Sequence, residues 1–116
     1  MKSYIQSVID RIEHNISQKI NIEQLAAACF VSPRQLYRDF YVCTGHSVHA
    51  YIRKRRLSKA LGMLKYSDMA ISDIAYLCGY SSQQALSKSV KNITTMTPKQ
   101  YRSGERAFYF NVYAYK

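Results

Sequence analysis

Acidic residues are scarce in this chain: seven Asp and Glu stand against seventeen Lys and Arg, a formal charge of +10 over 116 residues and a sequence pI near 9.7. That imbalance favours an anionic partner, either nucleic acid or an acidic membrane surface. The few carboxylates, Glu13, Glu23 and Glu105 among them, are scattered, and there is no glycine-rich phosphate loop and no nucleophile elbow, so catalysis finds no support and no enzyme is expected. Cysteine is sparse too. Cys29, Cys43 and Cys78 are odd in number and form no CxxC pair, which excludes a disulfide framework and leaves free buried thiols in a reducing cytoplasm. His46 and His49 stand three apart without a third ligand at useful spacing, so neither a metal nor a cofactor is expected. Long apolar runs are also missing. No stretch reaches about eighteen apolar residues, and Lys2, Asp10, Arg11, Glu13 and Lys19 interrupt the first twenty. A membrane span and a signal-peptide core are thereby excluded, and the expected location is the cytoplasm, at the nucleoid.

What the chain does have is helical periodicity. Its 47% hydrophobic content suits one compact body or two very small units sharing a core. Ile5, Val8, Ile9, Ile12 and Ile16 recur at steps of three and four, predicting an amphipathic helix over 3–16. Asn21 followed by Gln24 has the form of a capping box for a short second helix, with Ile22, Leu25, Ala26 and Cys29 inward. Ser32-Pro33 is an N-cap followed by a first-turn proline, so a third helix must start there. Leu36 and Phe40 anchor that helix, which turns Arg34, Tyr37, Arg38 and Tyr41 outward. Two helices joined by a short turn, the second displaying Arg and Gln, describe a helix-turn-helix. From Ser47 to Tyr66, Val48, Ile52, Ala60, Leu61 and Leu64 mark one long helix. "ISDIAYLCGY" is a short helix ended by Gly79, Ser81-Ser82 opens another, and "TPKQYR" is a capped single turn.

The pattern occurs twice. Ile22, Leu25, Ala26 and Cys29 match Ile71, Ile74, Ala75 and Cys78 at an offset of 49, and beyond the turn Leu36, Arg38 and Phe40 match Leu86, Lys88 and Val90 at an offset of 50. The second turn is thus one residue longer while both helices carry the same faces. The chain divides into a first helix-turn-helix subdomain over 1–50, a central helix over 51–66 that starts near 47, a second subdomain over 67–102, and a tail over 103–116.

These features carry a resemblance. "LA" at 25–26, Ser32, "LYRDF" at 36–40, "TGHS" at 44–47, "YIRKRRLSKA" at 51–60, "ISDIAYLCGY" at 71–80, "SQQ" at 82–84 and "TPKQYR" at 97–102 resemble the DNA-binding domain of the AraC/XylS family of bacterial transcription regulators over residues 3–102. The resemblance implies an all-α fold of seven helices, with two helix-turn-helix units joined by the long fourth helix and their recognition helices in successive major grooves of double-stranded DNA. It implies a sequence-specific regulator acting as a monomer, most simply an activator, with RNA polymerase among its candidate partners. Arg34, Tyr37 and Arg38 match groove-facing positions of the first unit, and Gln83, Gln84, Ser87 and Lys88 those of the second. Arg can pair bidentately with guanine and Gln with adenine. Ser32, Gln35, Ser82, Lys91, Lys99 and Arg102 are the expected phosphate contacts, joined by Lys2 and Lys19 near helix ends, which position without specifying. A basic protein-interaction module and a non-specific nucleoid-type DNA binder are the competing readings, and the exposed Arg and Gln favour specificity over both.

The second unit departs from the family pattern. Val90-Lys91 stands where an aromatic and a basic residue are usual, Thr94-Thr95 replaces an aromatic-glycine pair, and Lys88 replaces Arg. That unit is expected to be less firmly packed. In the first unit Phe30 fills a turn position that often holds a small residue. Of the run Arg53, Lys54, Arg55, Arg56, one or two are expected to make structural hydrogen bonds, because four consecutive helical residues point around the whole circumference. The tail alternates Phe108, Phe110, Val112 and Ala114 with Tyr109, Asn111, Tyr113 and Tyr115, a strand period that resembles the entry to a GyrI-like ligand-binding module, with an ordered tail on the domain and a disordered end as the competing readings. No sensor domain is expected ahead of residue 1, and a small-molecule effector is expected only with a further domain.

Overall fold

The computed structural model describes residues 4–104. The tail's strand period and Lys2 lie outside them. Among the described residues the chain is all-helical: α1 (Tyr4–His14), α2 (Ile22–Ala28), α3 (Pro33–Thr44), α4 (Val48–Tyr66), α5 (Ile71–Leu77), α6 (Gln83–Thr94) and α7 (Pro98–Ser103). No helix there is long and apolar enough to cross a membrane.

Side-chain caps set the starts of α2, α3, α4, α6 and α7, whereas α5 opens at Ala70 without one. Asn21 Oδ1 accepts from Gln24 N at 3.0 Å, Ser32 Oγ from Gln35 N at 3.1 Å, Ser47 Oγ from Ala50 N at 3.1 Å and Ser82 Oγ from Ala85 N at 3.0 Å. At α7 the bond is reciprocated: Thr97 Oγ1 accepts from Gln100 N, and Gln100 Oε1 from Thr97 N. Each such cap is worth about 1 kcal/mol. Helix α1 ends two residues earlier than its apolar stripe predicts. Asn15 Nδ2 donates to Arg11 O at 2.8 Å, satisfying a terminal carbonyl from a side chain, and Ile16 is buried from the following turn instead.

Two apolar clusters hold the fold. Val8, Ile12, Leu25, Leu36 and Phe40 lead the first, with Val48, Tyr51 and Ile52 from the start of α4. Ile74, Cys78, Leu86 and Val90 lead the second, with Leu57, Ala60, Leu61 and Leu64 from the end of α4. Helix α4 therefore changes partners half-way along its length of about 28 Å. Each half places one exposed helix, α3 or α6, after a short turn: 29–32 in the first, 78–82 in the second.

The second half is packed differently from the sequence expectation. Thr94 does not stand in for a missing aromatic. It is fully buried, its hydroxyl donates to Val90 O at 2.7 Å, and it accepts from Met96 N at 3.1 Å. Thr44 makes the same bonds, donating to Phe40 O at 2.8 Å and accepting from His46 N at 3.0 Å. What the second half lacks is the aromatic at Val90: its counterpart Phe40 packs edge-on against Tyr51, centroids 5.4 Å apart.

Candidate nucleic-acid interface

The exposed face of α3 carries Arg34, Tyr37 and Arg38. Two of them are held by neighbours. Tyr37 is 40% exposed, and its hydroxyl lies 3.3 Å from His49 Nε2 in the first turn of α4. Arg38 Nη2 donates to Gln35 Oε1 at 2.8 Å, Gln35 Nε2 donates to Asp39 Oδ2 at 2.8 Å, and Tyr4 of α1 donates its hydroxyl proton to the same Asp39 oxygen. Asp39 is buried. Burial first, and the carboxylate beside it second, hold the Tyr4 proton far above the usual tyrosine range. A chain of charge-assisted bonds therefore runs from the α1 core to the guanidinium of Arg38 and limits where that group can point.

Helix α6 presents Gln83, Gln84 and Lys88 to solvent, with Ser87 half-buried beside them and Lys91 exposed in the last turn. Ser32 and Ser82 are N-caps whose oxygens already accept a backbone N–H, so each keeps one O–H to donate. Lys99 is exposed on α7. Arg102 is half-buried and turned inward, where its Nε donates to Leu64 O at 3.0 Å. Gln35 is likewise spent on the internal chain. Of the basic run on α4, Arg53 is exposed, Arg55 Nε pairs with Glu13 Oε2 at 2.7 Å, and Arg56 donates to the carbonyls of Ile16 at 3.1 Å and Gln18 at 2.7 Å. Two of the four thus make the structural bonds that a helical run implies.

Sequence reasoning overlooked Tyr4 and Asp39, and it weighed His49 only as a metal ligand. A signal for Asp39 existed. It lies on the Leu36–Phe40 side of α3, where a carboxylate needs a partner, and four residues after Gln35. Among the described residues no group of three or more His, Cys, Asp or Glu is placed to hold a metal ion.

Two helices, each set by a serine cap after a short turn and each showing Arg, Gln or Lys outward, define a protein with two helix-turn-helix heads. Comparisons agree. A helix-turn-helix domain model matches residues 25–104. The multiple antibiotic resistance protein MarA of Escherichia coli is 35% identical over 98 residues, covering 84% of this chain and 77% of MarA. Among solved structures, the DNA-binding domain of AdpA, determined with a target DNA, superposes with a TM-score of 0.80 at 26% identity, covering 89% of this chain and 93% of that one. An AraC-type regulator from Chromobacterium violaceum superposes at 0.78 with 27% identity, covering 88% and 91%. The chain belongs to the AraC-type helix-turn-helix family, a non-enzymatic family, and is a DNA-binding transcription regulator.

Proposed function

We propose that this regulator reads two successive major grooves on one face of the duplex as a monomer, with α3 and α6 as its recognition helices. The observation that carries the reading is the structural repeat: two capped, outward-facing helices on one chain, joined by α4. Successive major grooves on one face repeat every 34–36 Å or so, and α4 of about 28 Å with its flanking turns nearly spans that interval, with modest DNA bending closing the remainder.

In this reading Arg34, Tyr37 and Arg38 reach base edges in one groove and Gln83, Gln84, Ser87 and Lys88 in the next. Arginine pairs with guanine O6 and N7, glutamine with adenine N6 and N7. Ser32, Ser82, Lys91 and Lys99 bind phosphates. Gln35 and Arg102 belong to the same phosphate set only through what their internal bonds leave over, one acting beside Arg38 and the other beside Lys99. The +10 charge supplies sequence-independent attraction through counterion release. The regulator acts as an activator in the cytoplasm, at the nucleoid, with RNA polymerase as its protein partner. A small-molecule effector enters only where a further domain accompanies this one. The two apolar clusters, which meet along α4, support a division of the chain near 50, 66 and 102.

Selection of binding sites from random duplexes at one fixed salt concentration tests the reading. The expected product is an asymmetric site with two conserved blocks about one helical turn apart. Enrichment of no common sequence, with uniform salt-sensitive binding, assigns the protein to non-specific DNA binding instead.

A further inference from the structure

The contacts of Arg56 extend beyond the first helix-turn-helix unit. This residue lies in the middle of α4, and its guanidinium spans two carbonyls of the segment after α1: Nε donates to Ile16 O at 3.1 Å and Nη2 to Gln18 O at 2.7 Å. On its other side is the turn of the second unit. Gly79 sits so close that a Cβ there would lie 2.3 Å from Ile16 O and 2.6 Å from Arg56 Nε. The next residue, Tyr80, is mostly buried with its hydroxyl beside Ser89 of α6. Three pieces of chain therefore meet at one guanidinium: the α1–α2 segment of the first unit, α4, and the α5–α6 turn that launches the second recognition helix. A planar fork with two fixed donors on two fixed carbonyls sets an angle as well as a distance. The neighbouring Arg55–Glu13 pair ties α4 to α1 and stays within the first unit.

We propose that Arg56 is a positioning residue that fixes the rotation of the second head relative to the first, and hence the spacing between the two half-sites that the protein accepts. It touches no base. Its effect passes through the Gly79 turn to α6, and it rests on the two-groove reading above.

The phase requirement is steep, because one added base pair moves the second half-site by about 3.4 Å and turns it by about 35° around the duplex axis. A rigid pair of heads cannot follow that rotation, and a hinged pair can. Lysine at 56 keeps the charge but replaces the fork with a point donor on a flexible stem.

The test uses the full chain and a series of duplexes carrying the selected site with zero, one or two base pairs inserted or removed between the blocks. Affinities are measured at one salt concentration for the native protein, for R56K and for E13Q, which breaks the neighbouring bridge inside the first unit. The native protein and E13Q should lose about tenfold or more on a single insertion. R56K should lose less than about threefold, by binding the altered spacings better relative to its own best site. If thermal unfolding shows R56K to be unfolded at the assay temperature, R56Q is read in its place with the same expectation. An R56K profile parallel to the native one, weaker at all spacings alike, overturns the proposal and leaves Arg56 a stabilising residue only. A native protein indifferent to spacing is a different failure: it removes the two-groove reading itself, and the positioning role with it.

Discussion

Thr95 and Gly45 hold the same place in the two halves of the molecule, each the left-handed C-cap of an exposed helix and each following a threonine bonded into the last turn, with φ of +62° and +78°. Only the glycine adopts that conformation without strain, which for other residues is about 1–2 kcal/mol. Thr95→Gly should stabilise the protein by about 0.5–1 kcal/mol, the strain relief being offset in part by the entropy of glycine in the unfolded chain. Gly45→Ala should destabilise by about 1 kcal/mol, since nothing lies within 4 Å of the added Cβ and strain acts alone. Urea titrations of both variants measure the pair, and a Thr95→Gly midpoint below that of the native protein contradicts the account.

Gly79 differs from Gly45 in what surrounds it. A side chain there must displace the Ile16 carbonyl or the Arg56 guanidinium in addition to adopting φ of +84°. Gly79→Ala should cost at least about 3 kcal/mol, the sum of strain, overpacking and weakened hydrogen bonds. Phe30 holds the matching turn position in the first half at φ +60° and is 95% exposed, so Phe30→Gly should cost no stability. Thermal unfolding of Gly79→Ala beside Gly45→Ala separates crowding from strain, and equal losses would show that Gly79 is needed for its backbone alone.

Arg38→Ala should cost about 1–3 kcal/mol on the preferred site and relax discrimination at one base pair. Uniform weakening across unrelated duplexes would assign Arg38 to phosphate. Asp39→Ala leaves the Tyr4 hydroxyl and the Gln35 amide without their buried acceptor and should cost about 2 kcal/mol of stability. It should also blunt discrimination at the same base pair as Arg38→Ala, because Gln35, no longer anchored on Asp39, holds the guanidinium less firmly. Binding profiles over a single-substitution library read both effects.

Burial pushes the Cys78 thiol up to about 11 from an ordinary 9.0. The unfolded chain therefore loses this proton first as pH rises, so the Cys78 contribution to stability is complete below about pH 9 and declines as the pH approaches about 11. Cys78→Ala should flatten that part of the stability–pH curve while lowering its plateau through the cavity left behind. Cys29 and Cys43, only half-buried, should react with a thiol reagent at pH 8 well before Cys78. Labelling of Cys78 at the same rate as the others would show that the second core opens freely.

Substituting Arg34 and Arg38 together by Ala should weaken specific binding more than substituting Gln83 and Gln84 together. Val90 fills the place of Phe40 with less apolar area, and each CH₂ equivalent of burial is worth about 0.8 kcal/mol, so α6 is expected to be the less firmly held of the two helices. The comparison is made at identical salt on the ratio of specific to random affinity, because Arg removal also reduces phosphate attraction. A larger loss from the Gln pair reverses the ranking.

Helix positions were legible because their signals are local. Asn21, Ser32, Ser47, Ser82 and Thr97 are caps by residue type and spacing, and the apolar steps of α1, α3 and α6 follow a helical period. The repeat at offsets of 49 and 50 marks two heads in the sequence itself. The bonds that aim the heads were not legible: Tyr4 to Asp39 joins residues 35 apart, and Arg56 to Ile16 joins residues 40 apart, separations that leave no periodic trace. Thr94 was misjudged for a related reason. A threonine in a last helical turn can satisfy its own hydroxyl on a carbonyl four residues back, and apolar area is then the wrong measure of how well it fits.

The central claim is that one chain reads two grooves, and methylation interference on a duplex of about 20 base pairs, combined with sedimentation of the same complex, tests it most directly. The account predicts two clusters of interfering purines on one face about one helical turn apart, with a single protein chain per duplex. One cluster, or two chains on the minimal site, would contradict it.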